Sequence, residues 1–169
     1  PHIFSSGFVY DLPFGRGRAR SLGGWQLAGI VRLQAGSPVA VTQATNLNAF
    51  AGFGIQRPNR VADPTLPADR RGTARWFDTS AFSAAPQFTL GSSSRNPVVG
   101  PGYRTFDLML AKRFLLSEKT WAEFRAEAFN AANTPPLANP NGSFGSAAFG
   151  SITRALDPRV FELVLKLHF

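Results

Sequence analysis

The last eleven residues, Arg159–Phe169 (RVFELVLKLHF), constrain the fold more than any other segment of the chain. Every second side chain is apolar, and the positions between are mostly polar; the apolar series is Phe161, Leu163, Leu165, Leu167 and Phe169. Because a β-strand directs alternate side chains to opposite faces, the pattern predicts a strand with one apolar and one polar face. Two interpretations fit this segment. It is either a membrane-barrel strand of about 10 residues or a half-buried edge strand of a soluble sandwich.

The composition of the 169-residue chain favours β-structure with little charge. Only 17% of the residues are charged, against about 25% in ordinary soluble domains, whereas Phe and Gly each occur 16 times. No apolar run approaches the roughly 18 residues that a membrane-spanning helix needs. The chain contains no cysteine, which excludes disulfide scaffolds and cysteine-based metal sites.

Five segments have the two-residue period of strands, and the connections between them alternate between short and long. The predicted strands lie near residues 3–12, 25–41, 103–114, 121–130 and 159–169, and the long irregular segments near residues 44–102 and 133–158. Such long loops argue against a compact soluble domain. Bacterial outer-membrane barrels, in contrast, combine short periplasmic turns with long extracellular loops. We therefore expect an all-β antiparallel meander of about five transmembrane strands in the bacterial outer membrane, with the long segments extracellular.

Five strands are too few to close a membrane barrel, since the smallest barrels have about eight. An open sheet edge in lipid would leave backbone groups unsatisfied, at several kcal/mol each. The chain also begins at Pro1 rather than at Met. We expect further strands of the same polypeptide to precede Pro1.

Aromatic residues mark the predicted periplasmic ends of the strands. Tyr10, Trp25, Phe114 and Phe169 all have the apolar parity there, as in the aromatic girdles of membrane proteins. Trp121 has the polar parity and departs from this pattern.

Catalytic and metal-binding signatures are missing from the sequence. The only histidines, His2 and His168, lie near opposite termini, and no G-x-S-x-G nucleophile motif occurs. We therefore expect no enzyme activity, no metal and no cofactor. The net charge is +8, and the run Gly15–Arg20 (GRGRAR) is similar to arginine- and glycine-rich RNA-binding tracts. A basic periplasmic turn near anionic lipid headgroups explains it better, so we expect no nucleic-acid partner.

Two sets of residues are candidates for function. Charged residues with the polar parity predict a mixed-charge lining of the barrel interior, with Arg113 opposite or diagonal to Glu123 on the next strand. These residues are Asp107, Arg113, Glu123, Arg125, Glu127, Glu162 and Lys166. Aromatic and polar residues of the first long segment are candidate ligand contacts: Arg57, Asn59, Arg60, Trp76, Phe77 and Phe82. The alternative for most of the second set is that they fold the loop on itself.

An ordered series of motifs resembles the C-terminal end of Oar-like TonB-dependent outer-membrane receptors, which carry a carboxypeptidase-regulatory-like domain. The series covers nearly the whole chain and ends with the terminal strand. It comprises YDLPFG (Tyr10–Gly15), GGWQLAGI (Gly23–Ile30), AGSP (Ala35–Pro38), RPN (Arg57–Asn59), WFDTSAF (Trp76–Phe82), RNPVVGPG (Arg95–Gly102), DLMLAKRF (Asp107–Phe114) and FRAEAFNAAN (Phe124–Asn133).

The resemblance implies a barrel of about 22 strands with a plug domain inside, and both the plug and the TonB-binding segment would lie upstream. It also implies that Phe169 belongs to the signal read by the barrel assembly machinery. The expected function is TonB-dependent ligand uptake by a receptor embedded in outer-membrane lipid. The alternative is a soluble β-sandwich module that binds carbohydrate or polyanion.

Overall fold

A computed structural model describes residues 2–13, 23–52 and 54–169. The basic run Gly15–Arg20 lies outside the described residues. The chain forms two compact units. The sheet unit contains His2–Gln34, Tyr103–Pro136 and Asp157–Phe169, and the loop unit contains Ala35–Gly102 and Leu137–Leu156.

Strands account for most of the regular structure in the described residues. In chain order they are β1 (Ile3–Asp11), β2 (Trp25–Gln34), β3 (Pro38–Val39), β4 (Thr42–Gln43), β5 (Asn59–Arg60), β6 (Phe82–Ser83), β7 (Val98–Val99), β8 (Tyr103–Leu115), β9 (Trp121–Phe129), β10 (Ser143–Phe144) and β11 (Val160–His168). Three short 3₁₀ turns lie at Ala49–Ala51, Ala68–Arg70 and Thr79–Ala81. No helix in the described part of the chain is long and apolar enough to cross a membrane.

The sheet unit is one antiparallel sheet in the order β1-β2-β8-β9-β11. Each pairing is an unbroken ladder; for example, Asp11 pairs with Gln26 and Ile3 with Gln34 at the two ends of the first. The predicted all-β antiparallel meander of five strands is therefore confirmed. Both short connections leave the sheet at the end where the terminal strand finishes, and both long connections leave it at the opposite end.

The second strand is shorter than the sequence predicts, since β2 ends at Gln34 and does not continue to Val41. Proline lacks a backbone N–H and is confined to strand edges and starts. Pro38 accordingly begins a new strand, β3, which pairs with Val98–Val99 of β7. The chain leaves the sheet through Gly36, where a Cβ would lie 1.9 Å from the Gly100 carbonyl oxygen. No other residue fits this close approach of two backbones.

The long irregular segments are compact and have a hydrophobic core of their own. Six buried residues form it: Val39, Val41, Phe77, Ala81, Phe82 and Val98. The rings of Phe77, Phe82 and Phe149 meet edge to face, with centroids 5.2–5.9 Å apart. Such aromatic packing stabilises by about 0.5–1.5 kcal/mol per pair beyond simple burial.

A buried polar frame fixes the rest of the loop unit. Gln56, only 2% exposed, accepts hydrogen bonds from the Gln43 amide (2.9 Å) and the Leu47 N–H (2.8 Å). Its own amide donates to the carbonyl oxygens of Pro86 (3.1 Å) and Thr89 (3.0 Å). An unsatisfied buried amide would cost about 1–3 kcal/mol. These bonds therefore hold the segment around Gln56 against those around Gln43 and Pro86 in a defined geometry.

Candidate functional site

The charged residues singled out in the sequence share one face of the sheet. Directly opposed residues of an antiparallel pair point to the same side, and the ladders pair Arg113 with Glu123, Lys166 with Glu123 and Glu162 with Glu127. The strand period then places Asp107 and Arg125 on this side too. We call this side the polar face. It carries the seven charged residues predicted from the sequence, Asp107, Arg113, Glu123, Arg125, Glu127, Glu162 and Lys166. The ladders place two more charged residues on it, Asp11 of β1 and Arg32 of β2.

Glu123 is the centre of the ion pairs on the polar face. Its carboxylate is 3.2 Å from the Arg113 Nε and also accepts a hydrogen bond from Arg125. Arg125 reaches onward to Glu127, with Nη1 3.7 Å from Oε1. Glu123 is only 5% exposed, because two guanidinium groups cover it. Of the two arrangements that the sequence allowed for Arg113 and Glu123, the structure has the directly opposed one.

The other charged residues of the polar face differ in their bonding. Asp107 accepts a hydrogen bond from the backbone N–H of Asn130 (2.8 Å), which ties the end of β9 to β8. Glu162 lies directly opposite Glu127, a like-charged pair, and Lys166 lies opposite Glu123. Neither Glu162 nor Lys166 makes a hydrogen bond or ion pair with a described residue. Their charges therefore remain available to water.

The structure explains why Trp121 carries the polar parity. Its indole ring stacks on the His168 imidazole, with centroids 3.7 Å apart, and the Arg113 guanidinium lies 4.7 Å from the ring centroid. His168 belongs to β11 and Arg113 to β8, the two strands that flank β9. The stack links the terminal strand to the rest of the sheet.

The opposite face of the sheet, the apolar face, is largely uncharged and exposed. Leu163 and Leu165 are each 74% exposed, and other large side chains on this face are exposed as well: Phe4, Phe8, Tyr10, Leu33, Phe114, Phe161 and Leu167. A soluble monomer rarely shows such a contiguous apolar surface. The described residues of the sheet unit supply no second sheet to cover it, as a soluble sandwich would require.

Lys112 is a cation on this apolar face that the analysis of charged residues missed. Its ammonium lies 4.8 Å from the centroid of the Trp25 ring and 4.9 Å from that of Phe114. Its parity was visible in the sequence, and so was its place beside two aromatic residues of the predicted girdle. A lysine whose stem lies along aromatic rings near a strand end is typical of a membrane interface.

The comparison with protein families decides the class. The family model described as outer membrane beta barrel domain matches residues 1–162. The chain belongs to the outer-membrane β-barrel family. The comparisons with curated proteins and with solved structures gave no significant match. The protein is therefore located in the bacterial outer membrane, and a soluble β-sandwich module is the wrong class for it. In outer-membrane barrels the outward band is apolar, which suits the exposed apolar face of this sheet.

The aromatic candidates for ligand contact have different places in the loop unit of this outer-membrane barrel protein. Phe77 and Phe82 are 2% and 5% exposed and belong to the core, so they offer no surface to a ligand. Trp76 is half-buried. Its backbone N–H donates to the Gly150 carbonyl oxygen and its indole N–H to that of Val99, both at 2.8 Å. The first bond fixes the backbone, and the second fixes the orientation of the ring.

The polar candidates lie on the neighbouring segment. Asn59 accepts a hydrogen bond from the Ser92 N–H (2.9 Å), and the Arg60 Nε donates to the Ala62 carbonyl oxygen (2.9 Å). The side chain of Arg57 is half-buried and makes no hydrogen bond or ion pair with a described residue. Asn59 thus has a structural role, whereas both arginines keep some exposed surface.

Two aspartates of the loop unit are already engaged by neighbouring groups. The Ser80 hydroxyl donates to Asp78 (2.8 Å) and holds the pKa of Asp78 below its ordinary value, with the Ser80 N–H and Arg75 acting in the same direction. The backbone N–H of Thr65 (3.0 Å) likewise lowers the pKa of Asp63. Both carboxylates therefore stay ionised at neutral pH.

The segregation of faces predicts opposite effects for an arginine at neighbouring positions of β11. Leu163→Arg places a charge on the apolar face, which costs about 2–4 kcal/mol at the middle of the bilayer. Glu162→Arg is the matched control, because the new arginine lies opposite Glu127 on the polar face and replaces a like-charged pair. We expect the first variant alone to lose folded protein in outer-membrane fractions, measured by heat-modifiable gel mobility. Equal loss in both variants would contradict the assignment of the faces.

Proposed function

We propose that this chain is the C-terminal barrel segment of an Oar-like TonB-dependent receptor, which captures a ligand at the cell surface and takes it up across the outer membrane. The support comes from the ordered series of motifs along the chain and from its family. One structural observation carries the proposal: a five-stranded meander with an exposed apolar face opposite a face of nine charged residues. That combination suits a barrel wall between lipid and a wet interior.

The polar face would line the interior of this barrel. Exposed ion pairs contribute only about 0–1 kcal/mol each. In a pair with a buried member, such as Arg113–Glu123, the desolvation of the carboxylate offsets much of the attraction. Stability is therefore a weak reason for these pairs. A mixed-charge wall instead keeps water along the passage and offers partners of both signs to a plug domain. The plug and the remaining strands of a barrel of about 22 would be supplied by the same polypeptide. They would pair with the two edge strands of the sheet, β1 and β11.

The loop unit would face the outside and make the first contact with the ligand. Both long connections leave the same end of the sheet, opposite the two short ones, which matches the asymmetry of bacterial barrels. Arg57, Arg60 and Trp76 have surface to offer a ligand. Binding and passage require no chemical step, so we propose no catalysis and no cofactor. Energy would come from TonB through an upstream segment.

Uptake that depends on both the receptor and TonB tests this proposal. Three strains would be compared: the wild type, a strain lacking the full-length protein that contains this chain, and a strain lacking TonB. Mass spectrometry of the spent medium would measure which solutes each strain removes. We expect at least one solute to be depleted by the wild type and by neither deletion strain. If every solute whose depletion requires the full-length protein is still depleted by the strain lacking TonB, TonB-dependent uptake is contradicted.

The terminal residue would serve assembly of the barrel. Phe169 is 97% exposed and continues the apolar series of β11, so its ring is free for recognition by the barrel assembly machinery. We expect deletion of Phe169 from the full-length protein to slow its insertion severalfold in a pulse-chase measurement. The matched control is Phe161→Ala, which removes an exposed ring of the same parity from the start of the same strand. Insertion at the normal rate without Phe169 would refute this role.

A further inference from the structure

The loop unit contains a small cleft between two segments that are distant in sequence. It has a volume of about 170 Å³ and lies between Pro64–Leu66 and Pro97–Val99, with Arg71 and Trp76 along its sides. Drug-sized ligands occupy about 300–1,000 Å³. The cleft is therefore suited to holding a single small ring.

The apolar wall of the cleft is rigid. The indole N–H of Trp76 donates to the Val99 carbonyl oxygen, and its backbone N–H donates to that of Gly150. Buried Phe77 and Val98 also line the cleft. Pro64 and Pro97 have restricted backbone angles, which further limits movement of the two segments. A preformed wall costs little conformational entropy when a ring packs against it.

Arg71 supplies the polar group of the cleft. Its Nε donates to the Leu66 carbonyl oxygen (2.7 Å), and its guanidinium carbon lies 5.9 Å from the centroid of the Trp76 ring. Its two terminal nitrogens make no hydrogen bond or ion pair with a described residue. They present the planar pair of donors that binds a carboxylate with two parallel hydrogen bonds.

No carboxylate of the loop unit neutralises Arg71. The loop unit has three carboxylates, Asp63, Asp69 and Asp78. Asp69 lies two residues before Arg71 and forms no ion pair with it. Asp63 precedes Pro64, and the Asp78 N–H donates to the Pro64 carbonyl oxygen (2.8 Å). Asp63 is paired with Arg60 and Asp78 with Arg75. The positive charge of Arg71 is thus left for an external anion.

We infer that this cleft binds a six-membered ring that carries a carboxylate, with the acid on the terminal nitrogens of Arg71 and the ring against Trp76. This inference rests on the proposed receptor function and names the chemical class of its ligand. An aromatic acid and a uronic-acid sugar share this chemistry. They differ in the ring, which is flat and apolar in the first and hydroxylated in the second.

Binding by the purified full-length protein that contains this chain, in detergent, tests the site without requiring transport. The probes are benzoate and glucuronate, with benzamide and glucose as their uncharged counterparts, and the readout is a ligand-observed NMR titration. We expect at least one acid to bind with a dissociation constant on the order of 1 mM, as suits so small a ligand. Its uncharged counterpart should bind at least about tenfold more weakly. Binding of benzoate would identify an aromatic acid as the ligand class, and binding of glucuronate would identify a uronic-acid sugar. If neither acid binds, the inference is overturned.

Neighbouring arginines provide the matched variants. Arg71→Gln should weaken acid binding by about tenfold or more. Arg70→Gln removes the same charge from an exposed side chain outside the cleft, so it should change the affinity by less than about twofold. Arg71→Lys keeps the charge without the fork of donors and should lie between them. Trp76→Leu should weaken binding severalfold. If Arg70→Gln and Arg71→Gln weaken binding equally, the acid is attracted by the general positive charge of the surface and not held in the cleft, and the inference is overturned.

The outcome is separable from that of the uptake experiment. Suppose that the acid binds in an Arg71-dependent manner but that all solutes are taken up without TonB. The binding site would then stand, and TonB-dependent transport would be refuted. TonB-dependent uptake by a protein that binds neither acid would refute the site alone.

Discussion

Unbroken strand register is the constraint on which the sheet depends. Four antiparallel ladders join five strands without a bulge, so every side chain keeps its side from one edge of the sheet to the other. A slip of one residue in a single strand would carry its apolar set to the polar face and its charges to the apolar face. Each arginine or lysine misplaced near the middle of the bilayer would cost about 2–4 kcal/mol. A sheet with such a slip would therefore be strongly destabilised in lipid. The charge pairs centred on Glu123 add specificity to the same register.

The loop unit is held together by different forces. Its strands are two residues long, and its order comes from a core of three phenylalanine rings and from buried amides such as Gln56. Two of these contacts, Phe77 with Phe149 and Gln56 with Pro86, join segments that are distant in the sequence. A framework of this kind can hold a half-buried side chain in a fixed position, as it does Trp76.

The sequence predicts the sheet well because a two-residue period is local information. The faces of β9 and β11 follow from FRAEAF and FELVLKL alone. The end of β2 was mispredicted because Pro38 and Val39 pair with a strand some 60 residues away, a choice that no local pattern records. Phe77 and Phe82 were likewise proposed as ligand contacts, since an aromatic loop residue has the same local signature whether it is buried or exposed. The sequence did not predict Arg71 as a candidate ligand contact, because its cleft is formed by two proline-containing segments that are distant in the sequence.

Spin labels on β8 test the central claim about the two faces most directly. The chain has no cysteine, so single cysteines at Thr105 and Met109 on the polar face, and at Leu108 and Leu110 on the apolar face, can each carry one label in the full-length protein. The measurement is the accessibility of each label to lipid-soluble oxygen relative to a water-soluble nickel chelate in outer-membrane lipid. We predict a high oxygen preference at positions 108 and 110 and a low one at positions 105 and 109. The same preference at all four positions, or the reverse alternation, would contradict the account.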